Sequence, residues 1–135
     1  TRKIEWHDAL IPGIQEYTDL TTAPDGTVYG IADRRIFFHF EPKDKRLLAQ
    51  QNLEAEFGVT NSQQGPRVFV KDAKGNTFVL FVKGVALIEP RTHTVKMIAE
   101  SPVPIGPGGD YLNGRIYFGS GSHLYSYEVP SISAE

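Results

Sequence analysis

The chain of 135 residues carries 14 Lys and Arg against 16 Asp and Glu, with one Trp and no Cys, a length that suits one compact domain and is short for two. A net charge of −2 and the lack of any basic run give phosphates no track, which argues against a nucleic-acid partner. The missing Cys excludes a disulfide framework, a thiolate nucleophile and Cys-ligated zinc, and the apolar runs fall short of the ~18 residues of a membrane span, so no membrane partner is expected.

In chain order, Thr1-Arg2-Lys3 opens without an initiator Met and without a signal-peptide core, which reads as processing or as a piece of a longer protein. Cytoplasm, periplasm and cell exterior all remain compatible. Thereafter the signal is a series of short runs rich in Val, Ile, Phe, Tyr and Thr, punctuated by Asp-Gly, Lys-Gly, Asn-Gly and Glu-Pro, the pattern of an all-β protein. The only helix-like stretch, Lys43 to Phe57, has Leu53 and Phe57 four apart but no capping box, and is read as a strand followed by a loop. The polar tail Ser131–Glu135 reads as a fraying end or the start of a linker.

Three segments repeat. Asp25-Gly26-Thr27-Val28-Tyr29, Lys74-Gly75-Asn76-Thr77-Phe78 and Asn113-Gly114-Arg115-Ile116-Tyr117 each place an aromatic residue three positions after a turn Gly. A second strand then closes on Glu41, Glu89 or Glu128, with Pro just after. The interval of about 40–50 residues, made of strands, is in the range of propeller blades. Four strands per blade predict Tyr17–Ala23, Thr27–Ala32, Arg35–Glu41 and Lys45–Gln50 in blade one, and Arg67–Asp72, Thr77–Val82, Val85–Glu89 and Thr94–Ala99 in blade two. Gly109–Leu112, Arg115–Gly119 and His123–Val129 make three strands of a last blade. The missing outer strand is expected at the N-terminus, because 2–13 matches the outer strand and exit loop at 94–106. The expected organisation is a single half-propeller domain over 1–135. It comprises an outer strand and exit loop at 1–13, blade one at 14–53, blade two at 66–99 and the inner three strands of the split blade at 107–130.

This pattern resembles the degenerate blades of bacterial β-propeller repeat proteins of the YVTN and quinoprotein-like kind, over nearly the whole chain. No Trp-Asp dipeptide closes a blade, no double-Gly kelch signature is present, and Trp6 stands outside any repeated position. Propellers use 4–8 blades. The resemblance therefore implies either a homodimer closing a six-bladed ring, with each N-terminal strand completing its partner's last blade, or the remainder of a longer propeller. A β-sandwich or closed barrel is the alternative fold.

The chemistry-bearing residues are scattered. No two of His7, His39, His93 and His123 stand at ligand spacing on one element, so no metal site is expected. His39, among Phe37, Phe38 and Phe40, is read as a hydrogen-bonded structural histidine. Gly119-Ser120-Gly121-Ser122 is not a nucleophile elbow. Ile105 to Asp110 lacks the following helix of a dinucleotide fingerprint, so its glycines are read as allowing close passage of a strand. Asp19, Asp33, Asp72 and Asp110 sit near strand ends with no spacing that singles out a catalytic pair. Propellers bind through the loops that join strand four to one and two to three. The candidates there are Arg34, Asn61, Gln64, Arg67, Lys83 and His123, suited to glycan hydroxyls or a carboxylate. The expected function is a non-catalytic binding or assembly module that recognises a protein or glycan and needs no cofactor. The alternative is a carbohydrate-active or other small-molecule enzyme domain with its site at the hub.

Overall fold

A computed structural model of the chain describes residues 10–62, 67–106 and 108–130. The first antiparallel sheet runs in the order β1 (Tyr17–Thr22), β2 (Val28–Ala32), β3 (Ile36–Glu41) and β4 (Arg46–Asn52). A second holds β5 (Phe69–Lys71), β6 (Thr77–Phe81), β7 (Gly84–Ile88) and β8 (Val95–Glu100). The third consists of β9 (Gly109–Leu112), β10 (Arg115–Ser120) and β11 (His123–Glu128). The strand expected over Lys3–His7 lies outside the described residues. All three sheets are simple meanders. The β2–β3 hairpin turns through Asp33 and Arg34 (φ 48° and 59°) and β9–β10 through Asn113 and Gly114 (φ 49° and 84°), two positive dihedrals in a row that match the strand twist.

One expectation needs correction. Between the first two sheets the chain forms a single helical turn, α1 (Glu54–Phe57), where a loop is predicted. Leu53 accepts the Phe57 N–H at 2.8 Å, and the side-chain oxygen of Asn52 receives the Glu54 N–H at 3.0 Å. The four-residue spacing buries Leu53 and Phe57 together, with the Phe57 ring 5.7 Å from that of Phe81. Burial of two side chains on one face settles a turn too short to persist alone.

The sheets stack face to face in chain order. Tyr29, Ile31 and Phe37 of the first sheet pack with Val79, Phe81, Ala86 and Ile88 of the second. The other face of the second sheet offers Phe78, Leu80, Val85 and Leu87 to Ile116 and Phe118 of the third. Covered on both sides, β6 and β7 are buried at every position, which is why they read as continuous apolar runs and not as alternating ones. The first strands adjoin one another, β1 against β5 and β5 against β9. A Cβ on Gly109 would come within 2.5 Å of Leu80 Cδ1 and 3.2 Å of the Tyr117 carbonyl oxygen, so close passage of β9 requires glycine there.

A repeated set of ties holds one end of the stack. Residues 15 and 16 donate their backbone N–H groups to the Asp33 carboxylate at 2.9 and 3.0 Å. The Thr60 N–H donates to the Arg34 carbonyl at 2.9 Å and the Val82 N–H to the Val59 carbonyl at 2.9 Å. The Ile105 and Gly106 N–H groups bond the carbonyls of Val82 at 3.0 Å and Gly119 at 2.8 Å. Each connection between sheets thus fastens to the central turns on either side of it. Between first strands the tie is Asp19, whose Oδ2 accepts the N–H groups of Val68 at 2.8 Å and Phe69 at 3.2 Å. Asp19→Ala leaves both part-buried donors without this acceptor and is expected to cost roughly 1–3 kcal/mol, read from the urea midpoint at unchanged m-value.

Candidate functional site

At the opposite end, two turns and a strand bring together polar side chains that no local motif joins. Asp25 stands in the β1–β2 turn, His39 lies in β3 opposite Tyr29 of β2, and His93 sits in the β7–β8 turn. Asp25 Oδ1 accepts the Thr27 backbone N–H at 3.0 Å and its hydroxyl at 2.5 Å. The Thr27 hydroxyl oxygen lies 2.6 Å from His39 Nε2. Because that hydroxyl proton goes to the carboxylate, Nε2 must carry the hydrogen and donate it. Tyr29 Oη is 2.6 Å from His93 Nδ1, across 64 residues of sequence. Donation by the phenol leaves His93 Nε2–H facing Asp25 Oδ2 at 3.6 Å. The two imidazoles pack with centroids 4.3 Å apart at 31°.

These contacts set the charge states. The Thr27 hydroxyl bond, then the Thr27 N–H, hold the Asp25 carboxyl below the usual carboxylate range, with the imidazoles adding to the effect. Burial, followed by the neighbouring His93, lowers His39 and favours neutral imidazole. Burial, reinforced by the Asp25 charge, pushes the Tyr29 phenol up to about 12, so it remains a donor throughout the physiological range. The result is an ionised carboxylate bonded by the Thr27 hydroxyl and faced by His93, with His39 held behind Thr27. His39 is hydrogen-bonded and buried, in keeping with the structural reading of it, and it shares its face with Phe37 and the His93 turn.

The residues nominated from the sequence lie elsewhere. Arg34, Lys83 and His123 occupy turns or strand starts at the end fastened by the backbone ties, Asn61 lies within the β4–β5 connection there, and Arg67 precedes β5. Gln64 falls outside the described residues. Arg34 lines a broad polar depression of ≈ 480 Å³ with Gly13, Gln15, Glu16, Asp33 and Arg35. An apolar cleft of ≈ 160 Å³ opens between the second and third sheets beside Val85, Phe118 and Tyr125. The four Asp considered as paired acids are all bonded to backbone. Besides Asp19 and Asp33, Asp72 accepts the N–H groups of Lys74 and Asn76 at 2.9 Å each, and Asp110 that of Tyr111 at 2.9 Å.

The grouping of Asp25, His39 and His93 was not foreseen from spacing, since its members come from two sheets. The signal that could have found it is topological. Turns after first and third strands fall at one end of a meander, so stacking consecutive sheets brings the Asp25 turn toward the His93 turn. No protein-family model matches the chain, and no curated protein sequence matches it.

Proposed function

We propose that this chain is a non-catalytic binding and assembly module: three β-propeller blades whose two end faces close against a second copy in a six-bladed ring. The reading rests on one observation, the unequal cover of a repeated position. Tyr29 and Phe78 are 1% and 0% exposed because the next sheet lies over them, whereas Tyr117 on the third sheet is only half-buried. Leu112 and Leu124 share its face by strand alternation and are 59% and 74% exposed. At the other end, Phe38 and Phe40 of the first sheet cluster with Ile11 from the connection that precedes β1. Leu53 and Ile105 occupy the corresponding connections of the two interfaces built within the chain. Leu20 lies on this end face beside Gly30 and Phe38, 55% exposed. The chain therefore carries the leading half of one more sheet-on-sheet interface at one end and the trailing half at the other. Two copies satisfy both by twofold symmetry.

In such a ring the fastened turns of all six sheets gather round the hub mouth. Arg34, Lys83 and His123 then form a polar rim fit for a protein or glycan ligand. A hub enzyme is less well supported, because the Asp residues near the strand ends serve backbone N–H groups.

Mass measurement in solution tests the reading. The folded protein is expected at twice the chain mass. Leu124→Arg and Leu20→Arg, each at an exposed position that a single chain tolerates, are expected to return it to one chain mass with strand content unchanged. A folded single chain of unaltered sequence at micromolar concentration overturns closure by a second copy.

A further inference from the structure

Beyond assembly, the end of the stack opposite the fastened turns carries a ligand set of its own. One carboxylate oxygen of Asp25 and one ring nitrogen each of His39 and His93 lie within 4.8 Å of one another. We propose that Asp25, His39 and His93 form a three-ligand site for a divalent first-row transition metal, which clasps the β7–β8 turn of the second sheet onto the first.

Two imidazoles and one carboxylate are the donor set that Zn²⁺ and its first-row neighbours prefer, and Mg²⁺ and Ca²⁺ do not. The spacing is near that of a chelate. Donors bound at 2.0–2.2 Å on a tetrahedral ion stand about 3.4 Å apart, and His93 Nε2 already lies 3.6 Å from Asp25 Oδ2. The third donor, His39, is fixed in the paired strand β3, so the remaining closure, up to about 1.4 Å, falls to the side chains of the Asp25 and His93 turns.

The groups behind these donors are those a metal site needs. Ligating imidazoles are oriented by a partner on the other ring nitrogen. Tyr29 Oη stands 2.6 Å from His93 Nδ1, and as a phenol it can accept the Nδ1–H of the tautomer that offers its Nε2 lone pair to the metal. Thr27 holds the Asp25 carboxylate with its hydroxyl and its N–H, fixing one oxygen and leaving Oδ2 toward His93. His39 is placed by the paired β2 and β3 backbones. His93 takes the left-handed conformation, φ 60°, at the end of a bond from its N–H to the Glu89 carbonyl at 2.7 Å. Histidine is among the residues enriched in that conformation, and here it aims the ring toward Tyr29 of the first sheet. With three protein ligands, a fourth position stays open to water or to an exogenous donor.

Calorimetric titration of the full chain with Zn²⁺ tests the proposal. One ion per chain and a rise in melting temperature are expected, as for any ligand bound only by the native state. His93→Asn keeps a polar atom near Nδ1, tolerates the positive φ and removes Nε2. It is expected to weaken binding by at least tenfold, and Asp25→Asn likewise, while His123→Ala leaves the affinity unchanged. Since His39 is buried, its replacement by Gln is read first by circular dichroism, and the His93 and Asp25 variants carry the test if it misfolds. Absence of saturable Zn²⁺ binding, or equal affinity in the native chain and His93→Asn, overturns the proposal and leaves the group as a hydrogen-bonded clasp.

Discussion

Phe78→Ala is expected to destabilise the chain by roughly 3–5 kcal/mol, the range for emptying a buried aromatic site. Phe78 is 0% exposed and sits in the cluster between the second and third sheets. Backbone pairing on both sides, with Val70 and with Leu87, restricts collapse of the cavity. Against the roughly 5–15 kcal/mol that holds a typical domain together, this is a large share, and the midpoint of urea unfolding is expected to fall accordingly at unchanged m-value. Tyr117→Ala, at the same place in the repeat, provides the contrast. In a separate chain it should cost below about 1 kcal/mol, because among the described residues no sheet lies over its face. Where two copies associate, its cost should grow with protein concentration, since removal of apolar cover then weakens assembly. Equal and concentration-independent costs at the two positions would contradict both the stacking order and the open third sheet.

Gly84→Val should be nearly as disruptive, for a different reason. Gly84 pairs with Glu100 at the start of β7, and a Cβ there would run into the carbonyl oxygen of Ala99, with Met97 Sδ at 3.0 Å and Glu100 Cα at 3.1 Å. Two of these three neighbours are main chain of the adjoining strand, so relief requires β7 and β8 to part. Overpacking of this kind typically costs about 1–3 kcal/mol. Here a loss at the upper end is expected in thermal unfolding, with early amide exchange along β8. Gly119→Ala is the control. A Cβ there has only the His123 carbonyl oxygen, at 3.9 Å, within reach, and stability should change by less than about 0.5 kcal/mol.

Much of the strand layout was legible because its causes are local. Turn glycines and the Asn113-Gly114 pair mark where the chain reverses, and period-two burial marks which side chains share a face. β6 and β7 were legible as strands, but their cover on both faces comes from the stacking of the sheets. The helical turn at Glu54–Phe57 was not legible, since four residues hold no propensity signal strong enough to outweigh their surroundings. Only the packing of Leu53 and Phe57 against Phe81 decides it.

The polar group at the Asp25 turn was illegible for the same physical reason, on a larger scale. Asp25 and Thr27 form a local pair that the sequence brings together by itself. His93 reaches them only because the second sheet packs onto the first, 64 residues beyond Tyr29, and neither spacing nor composition encodes that approach. By itself, then, the amino-acid order determined an all-β chain, the positions of its turns and the faces of its strands, since these depend on near-neighbour sterics and alternation. The tertiary structure alone decided which faces are covered and which polar side chains meet, because both follow from how whole sheets stack.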